Sequence, residues 1–288
     1  MNDYVIFTDS GCDIAPELLT AWGVRSLPLT FRFDGEEKEY SAYDMDILSF
    51  YSKMRQGGVA KTSAVSTGVF TKAFAEVLDA GADVLYIGFS SGLSTTYNSA
   101  RIAMDELRER YPERKLLCVD TLAASAGQGL LLSLLVDKKA KGESIEALAE
   151  YAEQNKGKVS HWFTVDDLVY LKRGGRISPT LAFVGNMLGI KPVLHVDDAG
   201  HLVSVSKVRG RRSALMAMAE KYAETALDPE GGRVYISHGD CKADAELLAR
   251  MLKEKCGVTV ELICDVGSVI GAHSGPGTLA LFFLAKER

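Results

Sequence analysis

VLYIGF at residues 84–89 runs directly into SSGLSTTYNSA at 90–100. The first segment is apolar and rich in strand formers, and reads as a buried β-strand. The second is rich in hydroxyls and opens a helical pattern. A strand that passes to a helix through a short polar loop is the repeating unit of a mostly parallel sheet. The same unit occurs at DYVIFT (3–8), where Asp13 is expected to cap a helix with Pro16 in its first turn and Gly23 past its end. KLLCVD (115–120) is a third case. Between them, VRSLPLTFRF (24–33) followed by Asp34-Gly35 predicts a strand entering a hairpin, and 45–55 predicts a helix.

After a helix from Ser144 to about Gly157 a second series begins. VSHWFTV (159–165), KPVLHV (191–196), HLVSVSKV (201–208), VYISH (234–238), VTVELI (258–263) and LALFFLA (279–285) read as strands. Helices are expected over 211–226 and 242–255. The fold class expected is α/β, with two α/β domains of mostly parallel or mixed sheets, residues 1–157 and 158–288. A length of 288 residues suits that division, and 47% hydrophobic with 25% charged residues is the balance of a folded chain.

The formal net charge of -5 argues against a nucleic-acid partner, which selects for basic surfaces. The five cysteines are widely spaced without a CxxC, which excludes a zinc site and fits a reducing cytoplasm. No apolar run approaches the roughly 20 residues of a membrane span, and no signal peptide is read at the N-terminus. A cytoplasmic protein without membrane insertion is expected.

Ligands of parallel sheets bind beyond the carboxyl ends of the strands. The loops there are TDSGCD (8–13), KTSAVSTG (61–68), SSGLSTTYNSA (90–100) and DTLAASAGQG (120–129), joined later by LKRGGRIS (171–178), SHGD (237–240) and GSVIGAHSGPG (267–277). Hydroxyls and free backbone N–H groups suit an anionic head group, whereas single Ser or Thr residues often only cap helices. The clusters at 62–67 and 94–96 favour the anion. No G-x-G-x-x-G follows the first strand and no GxxxxGK[ST] occurs, so a dinucleotide or P-loop site has no support and no cofactor or metal is expected. Gly88-Phe89-Ser90-Ser91-Gly92 fits G-x-S-x-G, so the alternative is a serine hydrolase or esterase with Ser90 as nucleophile and His238 or His273 in its triad. His273, in a loop too glycine-rich to pack a core, is a candidate ligand residue. The uncharged stretch ISPTLAFVGNMLGI (177–190) reads as a core helix or as a pocket wall for a hydrocarbon chain. Lys207, Arg209, Arg211 and Arg212 form a basic island, and Arg173 and Arg176 add to the basic inventory.

Taken in order along the whole chain, FTDSGCD, KTSAVSTG, SSGLSTTYNSA, DTLAASAGQG, LKRGGRIS, KPVL, RGRRSA and VIGAHSGPG resemble the DegV family, the fatty-acid-binding family that includes the FakB carriers. The resemblance implies a long-chain fatty acid such as hexadecanoate held between two α/β domains. The N-terminal domain would supply the carboxylate-binding loops and the C-terminal domain the acyl-chain pocket. By motif, Thr62, Ser94 and His273 are placed at the carboxylate; an imidazole there is expected to titrate near neutrality. Thr95 stands where the family often has glycine, and TSAVS where TSQPS is frequent. The resemblance also implies a non-catalytic carrier in lipid transport or fatty acid metabolism. It would make transient membrane contact and present its ligand to a separate fatty acid kinase, with Arg209 a candidate contact.

Overall fold

A computed structural model describes residues 3–177 and 189–288. Strands β1 (Tyr4–Asp9), β2 (Val24–Leu27), β6 (Asp83–Gly88) and β7 (Leu116–Asp120) form a four-stranded sheet in the order β2-β1-β6-β7, parallel at every step. A small antiparallel sheet joins β4 (Tyr40–Ser41), β3 (Thr30–Phe33) and β5 (Ala60–Ser63). The remaining strands are β8 (Val159–Thr164), β9 (Ile190–Val196), β10 (Leu202–Arg209), β11 (Val234–His238), β12 (Leu262–Asp265) and β13 (Leu279–Leu284). They make a six-stranded mixed sheet, order β10-β9-β8-β13-β11-β12, in which only β11 and β12 run parallel. The described helices are α1 (Pro16–Ala21), α2 (Ile47–Arg55), α3 (Thr67–Asp79), α4 (Thr96–Arg110), α5 (Ala126–Ala140), α6 (Ile145–Asn155), α7 (Val169–Arg173), α8 (Arg211–Thr225), α9 (Lys242–Cys256) and α10 (Ser268–Ser274).

Period-two alternation gives the six-stranded sheet two apolar faces. Trp162, Val193, Val234, Leu281 and Phe283 pack with Leu215 and Met218 of α8 and Leu248 of α9. The opposite face presents His161, Phe163, Ala280 and Phe282. Helix α5 lies between the large sheets, touching β6 on one side and β8, β11 and β13 on the other. Its first seven residues, Ala126 to Leu132, are all buried, as expected of a helix apolar on every side. Gly127 is what lets it approach: a Cβ there would strike Nε2 of His161 and come within 2.8 Å of the Phe282 ring.

Most expected elements form, and the exceptions have local causes. Asp13 does not cap α1; it is buried with φ 53°, and Ala15 holds the N-cap position with Pro16 behind it. The segment 61–68, expected as loop, begins inside β5, whose pairing partner β3 supplies the ladder that its polar side chains conceal. The strand expected at 258–263 forms at Leu262–Asp265 instead, in register with β11. Of 177–190, the stretch read as core helix or pocket wall, residues 178–188 lie outside the described residues.

Helix α10 is tied to α2 through Tyr51, fully buried, whose hydroxyl donates to the Val266 carbonyl at 2.7 Å. Tyr51→Phe leaves that carbonyl buried and unpaired, and is expected to cost about 1–3 kcal/mol in urea unfolding. A loss within error of zero would mean that water replaces the hydroxyl.

Candidate functional site

The loops at the carboxyl ends of β1 and β6 are drawn together by one carboxylate. Asp9 accepts from the Tyr86 hydroxyl (2.6 Å), the Phe89 N–H (3.0 Å) and the Gly11 N–H (2.9 Å). Above them lies a cavity of about 530 Å³, inside the roughly 300–1,000 Å³ range of small-molecule sites. One part of its wall carries Thr62, Ser94, Thr95, Arg176 and His273. Another is the inner face of the six-stranded sheet, with Phe163, Val196, Ala280 and Phe282, and a third is Val269 and Ile270 of α10.

Thr62 reaches the cavity because β5 alternates: Ala60 and Thr62 turn inward, Lys61 and Ser63 outward. His273 comes from the last turn of α10, and its Nε2 lies 2.7 Å from Thr62 Oγ1 although the residues are 211 apart in sequence. Gly174 makes room for the ring, since a Cβ there would overlap Nδ1. Ser94 ends the β6–α4 loop. Its Oγ accepts from the Thr96 N–H (3.2 Å) and lies 2.9 Å from Thr96 Oγ1, so it satisfies the first N–H of α4, whose N-cap position Thr95 holds, and lines the cavity at once. Thr95, in the glycine position, has φ -78° and needs no glycine.

Thr62, Ser94 and His273 are thus brought to one cavity. Arg209 is not; it is exposed at the far end of β10, paired in register with Ile190. A residue that the sequence reading placed only in a basic inventory belongs to the wall instead. Arg176, half-buried, donates through Nε and Nη2 to the Leu93 carbonyl at 3.2 and 3.0 Å and through Nη1 to Gly174, clamping the two loops that carry Ser94 and Gly174. No local pattern announces it, because its acceptors are main-chain carbonyls.

Burial, and secondarily the Arg176 charge, push His273 down to about 4. The imidazole is neutral at pH 7, which corrects the expectation that it titrates near neutrality. The folded value lies below the ordinary 6.5, so the unfolded chain takes up this proton first and stability falls as pH drops from about 6.5 toward 4. His161 and His195 are lowered by burial in the same sense. His273→Gln is therefore expected to flatten part of the loss of stability across that window, read by urea unfolding at stepped pH. An unaltered pH profile would contradict the buried neutral imidazole.

The hydrolase alternative fails on geometry. Ser90 has no exposed surface; its hydroxyl donates to the Gly200 carbonyl at 3.0 Å and accepts from the Gly92 N–H at 3.2 Å. Gly92 is required because a Cβ would come within 2.8 Å of the Ala199 carbonyl. The G-x-S-x-G pattern therefore serves packing against the β9–β10 turn, while His273 bonds Thr62 and His238 faces Asp265 at 3.4 Å. A second hollow, of about 610 Å³, is bordered by Asp46, Asp240 and Asp265, which repel an anion. Among the described residues no group of His, Cys, Asp or Glu is arranged to hold a metal, and no helix is long and apolar enough to cross a membrane.

A family model described as "uncharacterised protein, DegV family" matches residues 3–286. A DegV domain-containing protein of Clostridium perfringens is 42% identical over 289 residues, covering 100% of this chain and 99% of that one. A protein of Thermotoga maritima named fatty acid-binding protein is 33% identical, with 98% of each chain covered. A DegV family protein from Thermus thermophilus, solved under the description of fatty acid binding, superposes with a TM-score of 0.88 at 29% identity, over 99% of this chain and 100% of that one.

Proposed function

The chain belongs to the DegV family, and from that premise we propose that it binds one long-chain fatty acid, of hexadecanoate type, as a non-catalytic carrier in lipid transport or fatty acid metabolism. The observation that carries the reading is one cavity with hydroxyls, an imidazole and an arginine on one part of its wall and an aromatic and aliphatic sheet face on another. The Thermotoga and Thermus relatives named for fatty acid binding support the ligand class.

In this reading Thr62 and Ser94 hold the carboxylate directly, and His273 stands behind Thr62 at the same head group. A hydroxyl has one proton, so each must be backed by a donor if that proton is to face the ligand. For Thr62 the donor is Nε2–H of His273, which selects that tautomer of the neutral ring. For Ser94 it is Thr96, through its N–H and its hydroxyl. Arg176 lends positive potential without spending a donor on the ligand. The acyl chain follows Phe163, Ala280 and Phe282. Burying about 15 carbons at about 0.8 kcal/mol each gives a gross gain of about 12 kcal/mol, from which immobilisation subtracts a substantial part. Micromolar or tighter affinity follows.

The division into 1–157, supplying the carboxylate loops, and 158–288, supplying the acyl pocket, belongs to the same proposal, with His273 as a contribution of the second part to the head group. So do a cytoplasmic location, transient membrane contact, and hand-over to a separate fatty acid kinase through the exposed face around Arg209. Titration calorimetry of delipidated protein with hexadecanoate tests the reading: one-to-one binding at micromolar concentration or below is expected, and no saturable binding would overturn it.

A further inference from the structure

Beside the floor of the cavity stands a buried polar chain that a plain hydrocarbon tail leaves idle. Ser125 Oγ lies 2.5 Å from Asp13 Oδ2 and 2.9 Å from Ser237 Oγ. All three residues are buried, and Ser125 and Ser237 line the cavity. Ser237 on β11 sits in register with Ala280, and Ala280 with Phe163, the row that makes the floor. Asp13 packs against Gly267, which precedes α10, whereas His273 lies in the last turn of that helix. The seven residues of α10 span about 10 Å, so this chain stands along the acyl path and away from the head group.

Each hydroxyl offers one donor and two acceptor sites. Ser125 spends two of its three on Asp13 and Ser237, and Ser237 spends one. The backbone is strained where the chain is built: Asp13 has φ 53° and Ser125 φ 54° with ψ -148°. Left-handed non-glycine residues persist where the surroundings impose them, and they concentrate at functional sites. Burial, opposed by the Ser125 hydrogen bond, raises the Asp13 carboxyl to about 7. Near neutrality the carboxyl thus both accepts from Ser125 and donates to it, and the order of protons along the chain turns accordingly. On its other side Asp13 Oδ1 has only the poorly aligned Gly267 N–H, which lowers the carboxyl by less than burial raises it.

We infer that the cavity takes long-chain fatty acids bearing a hydroxyl on the chain, and that Ser125 and Ser237, backed by Asp13, receive that hydroxyl. A ligand hydroxyl is both donor and acceptor and fits either order of protons. A methylene satisfies neither side chain. The inference rests on the fatty-acid reading above and narrows its ligand class.

The test measures octadecanoate and a positional series of monohydroxy-octadecanoates against delipidated protein. In an apolar cavity a hydroxyl without a partner weakens binding by about tenfold or more. Here at least one isomer is expected to bind as tightly as octadecanoate or tighter. Ser237→Ala, and separately Ser125→Gly, which keeps the positive φ without strain, are each expected to lower the preference for that isomer over octadecanoate by about tenfold. Circular dichroism checks that both variants fold. Rejection of every isomer, or a preference that neither substitution changes, overturns the inference while octadecanoate binding still stands. Failure to bind octadecanoate at all would sink the carrier reading instead.

Discussion

Replacing Thr62 and Ser94 together with alanine is expected to weaken hexadecanoate binding by tenfold or more, with the far-UV and near-UV circular dichroism of the parent retained. Hydrogen bonds to a charged group contribute about 1.5–3 kcal/mol each, and water entering the opened wall recovers part of that. The fold is spared for reasons visible in both positions. Thr62 is half-buried and its side chain bonds only His273, so the loss leaves an imidazole beside a cavity that water can enter. Ser94 accepts one N–H at the start of α4, and losing that bond is expected to cost about 1 kcal/mol of stability. Titration calorimetry with delipidated protein reads the result. Affinity unchanged within twofold would move the carboxylate elsewhere, and the arginine clamp at Arg176 would be the next place to look.

The second large effect concerns the tail. Ala280→Phe puts a benzyl group on the cavity floor between Ser237 and Phe163, its neighbours across the sheet. Ala280 lines the cavity, so the added ring is expected to be taken up there and folding to survive. The acyl path is shortened, and each methylene denied burial forfeits about 0.8 kcal/mol. Hexadecanoate affinity is expected to fall at least tenfold while decanoate is affected far less, which reverses or narrows the preference for the longer chain. Equal losses for both acids would show that the tail does not run along this face.

The sequence is a good guide to elements whose side-chain pattern matches their burial. VYISH is β11 residue for residue, and the Asp34-Gly35 turn follows β3. It misleads where tertiary contacts decide. The polar run AKTS (60–63) is a strand only because β3 pairs with it. Asp13 looks like a helix cap, but the fold draws it into a carboxyl–hydroxyl chain with Ser125, a residue 112 positions away. In the candidate site, Thr62, Ser94 and His273 are named by motif, and the cavity gathers all three. What no pattern carries is their bonding and charge state. The Thr62–His273 contact joins distant segments, the neutral imidazole follows from burial beside Arg176, and the role of Arg176 depends on a carbonyl 83 residues away. The basic run divides in the same way: Arg209 stands exposed on β10, apart from the cavity, whereas Arg211 is drawn in to pair with Asp244.

Extraction of the freshly purified protein under denaturing conditions, followed by mass spectrometry of the released lipid, tests the central claim most directly. A greasy cavity closed by an anion-binding wall should arrive occupied, and the expected yield is close to one long-chain acid per chain. Protein that releases no such acid, and that takes up none when hexadecanoate is supplied, would contradict the account.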